Sequence, residues 1–510
     1  MSNAKIRLSV PATASQVAFT KIAVIMTATA DRNREIYMTK RPFVFTPQTI
    51  HSHLDERFYR IVKPASFPDH IIRYRNQDAA SSVGLADLSD DAWRDHFGRF
   101  VPFEGSFPAP LALCYHGHQF GHYNPELGDG RGFLFAQTRA ADGRLLDMGT
   151  KGSGTTPFSR SADGRLTLKG AVREILATEM LQALGVNTSK TLSVIETGEA
   201  LTRHDEPSPT RSAVMVRLSH SHIRIGSFQR LSYMDDAEGI EMLARHVIRH
   251  YYADDPALDP AADFDALVPL FLEKVAASIA TTAGQWLAAG FVHGVLNTDN
   301  FNITGESFDY GPWRFLPHFD PGLVAAYFDD MGRYAYGRQA DAALWAVCRL
   351  ADCFVRFASK ETIEDSLRGF FPEMEASLAD QLQWRLGVTL NDKTEAPTLC
   401  RHLFTAAKTT KVGFDQIFHD LYGGSDRVGT YHVDDWKPVL DILAASKPIH
   451  DMSHPHFART DAVSMTIDEV EAIWAPIAAA DDWSLLHQKI DDVRAMRAAL
   501  KGDIPTHNQS

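Results

Sequence analysis

The sequence predicts an α+β fold, with strands concentrated in the first half of the chain and helices in the second. Three observations predict it. Runs of strand composition, Arg131–Gln137, Leu145–Lys151, Thr191–Glu196 and Ala213–Leu218, all precede residue 220. One amphipathic helix, Lys169–Leu184, is set among them. From Glu238 onward the chain reads as mostly helical, interrupted by loops around 291–322 and at Gly423–Arg427.

Taken in order, residues 1–45 read as an extension. Residues 1–30 hold no Asp or Glu, carry Lys5, Arg7 and Lys21, and include the short apolar run Ile22–Met26. A cytoplasmic location is expected, with a mitochondrial one as the alternative if this extension is a transit segment. Residues 46–127 read as short helices and loops; Leu88-Ser89-Asp90-Asp91-Ala92-Trp93 has the form of a capped helix start. A hairpin follows, with Ala141-Asp142-Gly143 as the turn between Arg131–Gln137 and Leu145–Lys151. In the helix Lys169–Leu184, Val172, Ile175, Leu176, Met180 and Leu184 share one stripe, and Gly185 ends it. A polar loop, His204–Ser212, separates the next two strands, and Gly502-Asp503-Ile504-Pro505 opens a flexible tail.

The 510 residues, 45% hydrophobic and 23% charged, suffice for one large domain or two to three modest ones. The net charge of -13 argues against nonspecific binding to nucleic acid or membrane. No stretch reads as long and apolar enough to span a bilayer. Cys114, Cys348, Cys353 and Cys400 form no Cys-x-x-Cys pair and read as buried thiols, without a disulfide framework. No long heptad pattern marks an oligomer, and the oligomeric state stays open.

The chemistry concentrates in a few segments. His293-Gly294-Val295-Leu296-Asn297-Thr298-Asp299-Asn300, followed by Asp309-Tyr310-Gly311, has the spacing of a protein-kinase catalytic loop and metal triplet with one residue changed. Asn300 falls at the metal-holding position. Val295 stands where the catalytic base would be and cannot take a proton. Asp299 is the one carboxylate inside the loop able to serve as base. Asn300 and Asp309 are hard oxygen ligands suited to Mg²⁺ or Mn²⁺. Upstream, Leu127-Gly128-Asp129-Gly130-Arg131-Gly132 precedes a strand; its glycines would let backbone N–H groups approach phosphate, and Arg131 could add a contact. Lys151 ends a strand and Glu174 lies at the margin of the apolar stripe on the next helix, the order of the kinase lysine–glutamate pair. Between them, Thr150–Thr156 and then Asp163-Gly164 could wrap a nucleotide, but no Gly-Lys-Ser/Thr of a Walker loop is present. Arg217 and Arg224 suit further phosphate oxygens. His116, His118 and His122 could form a zinc site, though hydrogen-bonding support of the Gly-Asp-Gly loop is the preferred reading. The whole matches a kinase-like two-lobe layout: a β-rich N-lobe over 46–235, a helical C-lobe over 236–500 with additional helical segments, and a tail over 501–510.

Together, Tyr115-His116-Gly117-His118-Gln119-Phe120-Gly121, Leu127–Arg131, Ser221-His222-Ile223-Arg224, His293–Asn300 and Asp309-Tyr310-Gly311-Pro312 resemble the selenoprotein O family, well over residues 50–360 and loosely beyond. The resemblance implies a kinase-like fold that transfers AMP from ATP, held inverted, to protein Ser, Thr or Tyr hydroxyls, with UMP transfer in Mn²⁺ as a further activity. It implies nucleotide contacts from Gly128, Gly130, Arg131, Lys151, Asp163, Gly164, Arg217, Arg224 and Asp309. It implies Asp299 as proton acceptor and Asn300 and Asp309 as metal ligands. Members of the family often end in a redox-active cysteine or selenocysteine tail; this chain ends His507-Asn508-Gln509-Ser510, so tail-based redox control is not expected. A phosphotransferase and an inactive ATP-binding scaffold are the rival readings, with a histidine metallohydrolase a distant third. Val295 weighs against the phosphotransferase; the intact lysine, metal ligands and candidate base weigh against the scaffold.

Overall fold

Nine strands of the first half pair into one antiparallel sheet, and the catalytic-loop motif lies in the helical second half, after the helix Phe264–Ala289. The computed structural model describes residues 43–204 and 206–502. The expected extension is therefore described only from residue 43, and the Ile22–Met26 run and the tail 503–510 lie outside the described residues.

The strands are β1 (Pro47–Gln48), β2 (Tyr59–Ile61), β3 (Ile71–Arg75), β4 (Leu111–Leu113), β5 (Gly117–Gln119), β6 (His122–Asn124), β7 (Leu134–Arg139), β8 (Leu145–Lys151), β9 (Leu166–Thr167), β10 (Lys190–Leu201) and β11 (Thr210–Ser219). The sheet runs β2-β4-β7-β8-β11-β10-β3, with β1 against β7 and β9 against β11; β5 and β6 form a separate hairpin. The expected β7–β8 hairpin is present. Gly143 takes φ +87° in its turn, and Asp142 Oδ1 accepts from the Arg144 N–H at 3.1 Å. β7 begins at Leu134 rather than Arg131, because Gly132 presses against the neighbouring backbone: a Cβ there would lie 2.1 Å from the Thr150 oxygen. All seven residues of β8 are buried between β7 and β11, and Lys151 ends it.

Residues 46–127 hold more strand than expected. The segments are two to five residues long, and all but the hairpin pair β5–β6 find their hydrogen bonds on distant strands, as β3 does on β10. Such pairings leave no local periodicity to read. The capped start at Ser89 is borne out: its hydroxyl accepts from the Ala92 N–H at 3.2 Å, and the helix runs Asp90–Phe97.

The expected helix spans Leu168–Ala183, capped by the Thr167 hydroxyl, with Gly185 at φ +77° beyond its end. Twelve of its sixteen residues are buried, so it is enclosed on more than the stripe that faces the sheet. Helices from the far end of the sequence, Ile467–Ala480 and Ser484–Lys501, cover it. Arg494 pairs with Glu179 at 2.7 Å, and Lys169 with Glu471 at 2.8 Å.

In the second half, the helix Phe264–Ala289 forms the centre of the packing. Gly284 lets the helix Phe370–Arg385 approach so closely that a Cβ would lie 2.6 Å from the Met374 oxygen. By length and composition this central helix could cross a bilayer, with a mean hydropathy of 1.4 over its most apolar eighteen residues. The expectation that no stretch passes that test is thereby corrected. Its apolarity has a packing cause: Val268, Leu272, Val275, Ile279 and Ala283 are all buried in the protein's own core.

Candidate active site

The end of β8, the glycine turn before β7, the end of β11 and the loop after β12 (Phe291–Val292) meet around a cleft of about 370 Å³. Gly128, Gly130, Arg131, Lys151, Arg217, Arg224 and Asp309 all line it. The glycines earn their positions by close approach. A Cβ on Gly128 would sit 2.3 Å from the Phe158 ring, and one on Gly130 would meet the Phe158 carbonyl at 3.0 Å. The segment after Lys151 closes over this turn, with Thr156 Oγ1 donating to the Asp129 carbonyl at 2.5 Å and Ser159 Oγ to that of Gly130.

At the centre is Asp309, in a left-handed conformation at φ +66°. Lys151 Nζ lies 3.0 Å from its Oδ1, Arg217 Nη1 3.3 Å from the same oxygen, and Arg224 Nη1 3.4 Å from Oδ2. Burial alone would raise its pKa; Lys151 and then Arg217 and Arg224 outweigh that and hold the carboxyl well below the usual range. Lys151 also pairs directly with Glu174. Glu174 is not at the helix margin: it is 1% exposed, because its side chain turns in towards the buried Lys151 of β8. Arg131 is exposed at the cleft's rim.

Arg224 joins the cleft to the catalytic loop. One guanidinium nitrogen donates to the Asp299 carbonyl at 2.8 Å, and the other lies 3.4 Å from Asp129. Its guanidinium stacks 4.5 Å from the Tyr115 ring and 4.8 Å from that of Phe308. Asp129, Tyr115 and Phe308 were not singled out in the sequence. A carboxylate between two glycines was the available signal for Asp129; the aromatic platform left none.

Asp299 sits on the short turn Thr298–Asn300, buried, with Oδ1 lacking a hydrogen-bond partner. Burial, the main cause, pushes its pKa up to about 6; Arg224 opposes the shift and Asp309 adds to it. Asn300 donates its amide nitrogen to the Val295 carbonyl at 2.9 Å, which leaves its oxygen as the atom free to face a cation. Val295 thus contributes its backbone, not its side chain. His293 is fully buried, its Nε2 3.0 Å from the Phe308 carbonyl.

The hairpin β5–β6 holds this loop. His118 N–H donates to Thr298 Oγ1 at 2.7 Å and Phe120 N–H to Asn297 Oδ1 at 3.0 Å. Gln229, also not singled out, accepts from Thr298 at 2.5 Å and contacts His118 Nδ1 at 2.7 Å. His116 bonds Tyr123 at 2.8 Å and His122 is exposed. The three histidines do not gather as ligands: among the described residues no group of three His, Cys, Asp or Glu could hold a metal. Their run supports the catalytic loop, where the sequence suggested the Gly-Asp-Gly loop, because the turn at Phe120-Gly121 folds it back beneath Asn297 and Thr298.

Asp163 and Gly164, like Glu174, Asp299 and Asn300, are not among the residues lining the cleft; Glu174 is tied to it through Lys151 and Asp299 through Arg224. Asp163 pairs with Arg203 at 2.8 Å, and Gly164, at φ +69°, packs against Gly154. Arg160, Ser159 and Phe158 represent that segment in the cleft instead. Cys114, Cys353 and Cys400 are buried and Cys348 half-buried, all as free thiols.

A family model described as protein adenylyltransferase SelO matches residues 44–494, well past the region where the motifs lie. A protein nucleotidyltransferase YdiU of Gloeobacter violaceus is 40% identical over 467 residues, covering 86% of this chain and 93% of its own length. A protein of the same description from Synechococcus elongatus is 48% identical over 349 residues, 68% of this chain and 69% of its own. One from Rhodopseudomonas palustris is 35% identical over 419 residues, 78% and 82% of the two lengths.

Proposed function

The chain belongs to the protein adenylyltransferase SelO family, and on that footing we propose that it transfers AMP from ATP to Ser, Thr or Tyr hydroxyls of proteins. It is a nucleotidyltransferase, and the reaction releases pyrophosphate. The observation that carries this reading is the convergence of Lys151, Arg217 and Arg224 on Asp309, in a cleft floored by a glycine turn. So many cations exceed what a kinase cleft needs, and an inverted nucleotide, with its outer phosphates in a new place, would use them. In this reading residues 46–235 form the β-rich lobe and 236–500 the helical lobe of a kinase-like fold, with the nucleotide between them.

The protein's own groups have distinct tasks. Glu174 fixes Lys151, and Lys151, Arg217 and Arg224 turn from Asp309 to phosphate oxygens when ATP enters. Arg131 closes on the phosphates from the rim. The acceptor hydroxyl oxygen bonds to the α-phosphorus, the bond from that phosphorus to the bridging oxygen breaks, and pyrophosphate leaves. The hydroxyl proton passes to Asp299, whose unpartnered Oδ1 and pKa of about 6 suit a general base. Asp309 and the Asn300 oxygen, both hard oxygen donors, would hold a divalent cation, Mg²⁺ or Mn²⁺. When bound, that ion would supply neutralisation of phosphate charge. Asp163 and Gly164, set apart from the cleft lining, are proposed as nucleotide contacts only on the family resemblance.

The test is label transfer to acceptor protein from ATP labelled at the α- or the γ-phosphate, with Mg²⁺ or Mn²⁺. Transfer of the α-label alone is expected. Transfer of the γ-label alone would make the protein a phosphotransferase; ATP binding without transfer of either label would make it a scaffold.

A further inference from the structure

A buried polar chain runs back from the cleft wall, and beyond Arg217 the proposed reaction does not use it. Arg217 Nε donates to His222 Nε2 at 3.2 Å; both residues line the cleft and both are buried. An arginine always donates, so Nε2 must be the accepting nitrogen and the ring proton sits on Nδ1. Nδ1 faces Asp147 Oδ2 at 3.6 Å, an electrostatic contact too long for a hydrogen bond, and the bond between the two residues is from the His222 backbone N–H to that same oxygen at 2.8 Å. The other Asp147 oxygen accepts from Gln137 at 2.7 Å and from the Tyr251 hydroxyl at 3.2 Å. Asp147 is fully buried in β8, a strand otherwise of Leu, Met, Gly and Thr up to Lys151. A carboxylate with no access to solvent needs a reason to be there.

Gly149 supplies an independent sign of design. It pairs across the sheet with Arg217, in a strand interior where glycine weakens the ladder. A Cβ there would lie 2.0 Å from His222 Nε2. The missing side chain is the slot through which the imidazole reaches Arg217. On the far side the guanidinium rests 5.0 Å from the Phe308 ring.

We propose that His222, oriented by Asp147 and admitted by Gly149, is a positioning residue that fixes the Arg217 guanidinium in the nucleotide cleft. With Nε committed to the imidazole and one face on Phe308, the guanidinium is held in its plane, and its outer nitrogens can exchange Asp309 for phosphate by only a small movement when ATP enters. Burial lowers the His222 pKa, which keeps the ring neutral and Nε2 able to accept. The inference rests on the nucleotide reading of the cleft, not on which phosphorus is attacked.

The experiment measures ATP affinity by calorimetry with Mg²⁺, together with KM and kcat for label transfer, in His222→Leu, His222→Gln, Gly149→Ala and the His222→Leu/Gly149→Ala double variant. His222→Leu removes the acceptor and should weaken ATP binding roughly tenfold, the value of a hydrogen bond to a charged group, with kcat changed less than the affinity. His222→Gln places an amide oxygen near the Nε2 position and should recover most of that loss. Gly149→Ala evicts the ring and should lose about as much as His222→Leu, and the double variant should lose no more than either. Equal losses in His222→Leu and His222→Gln, or losses that multiply in the double variant, would overturn the proposal. If the wild-type protein binds ATP without transferring the α-label, the proposed reaction fails while the affinity series still decides the role of His222. If a leucine variant fails to fold, the glutamine and alanine variants decide it.

Discussion

Replacing Lys151 by Met should destabilise the protein and abolish transfer, and a second substitution should restore the stability alone. Lys151 and Glu174 have side chains 6% and 2% exposed. Removing the lysine leaves Asp309 still paired with Arg217 and Arg224. It leaves the Glu174 carboxylate enclosed with no cation. Breaking a buried pair from one side costs about 3–5 kcal/mol. The described body has about 460 residues, and at roughly 2.1 cal/mol/K per residue its unfolding entropy is about 1 kcal/mol/K, so the melting temperature should fall by about 3–5 °C. Substituting Glu174→Leu as well removes the stranded charge and replaces the pair with apolar contact, which is often neutral or stabilising. Most of the lost melting temperature should return, while transfer from α-labelled ATP stays absent because no group replaces the ammonium at the phosphates. Thermal or urea unfolding of wild type, both single variants and the double variant closes the cycle. A coupling below about 0.5 kcal/mol is what independent sites show. That result would refute the claim that these residues act as one buried pair.

Further expectations concern the base, the glycines and acid. Asp299→Asn should lower transfer by about 10²–10⁴-fold, the usual contribution of a general base, with ATP affinity kept within a few-fold; equal loss of binding and turnover in calorimetry and kinetics would make the residue structural. Gly132→Ala places a Cβ 2.1 Å from the Thr150 oxygen and should weaken ATP binding strongly, whereas Gly143→Ala, with nothing within 4 Å but φ +87°, should cost about 1 kcal/mol and leave activity intact. His51 and His246 are buried with pKa values lowered to about 4 and about 2, chiefly by burial. The unfolded chain takes up a proton at each near 6.5, so it binds more protons than the folded protein below that pH, and stability falls as pH drops from about 6.5 towards 4. For His51 the full shift is worth about 3 kcal/mol. The melting temperature measured across that range should fall less steeply in His246→Phe; an unchanged slope would assign the acid sensitivity to other groups.

Much of the candidate site was legible because its chemistry is written in short, local spacings. The step from His293 to Asn300 and Asp309, the glycines around Asp129, and a strand-end lysine before an amphipathic helix each depend on neighbours in sequence, where residue type and period carry the information. The β7–β8 hairpin and the helix Leu168–Ala183 were legible for the same reason: turn chemistry and the 3.6-residue stripe are local. The short strands β1–β6 were not, since each of the sheet-joined ones is held by a strand far away in the chain. Nor was the burial of Glu174, which points its carboxylate at Lys151 on a strand of the sheet and is enclosed there. The apolarity of Phe264–Ala289 is the same in a bilayer and in a protein core, and only its neighbours Met374 and Leu378 decide which. Tertiary structure alone turned His118 and Phe120 towards the catalytic loop rather than towards a metal, and set Asp163 apart from the cleft. Sequence fixes which groups the chain carries and their local geometry; the packing of distant segments decides which charges meet, which are stripped of water, and so which of them can act on a nucleotide.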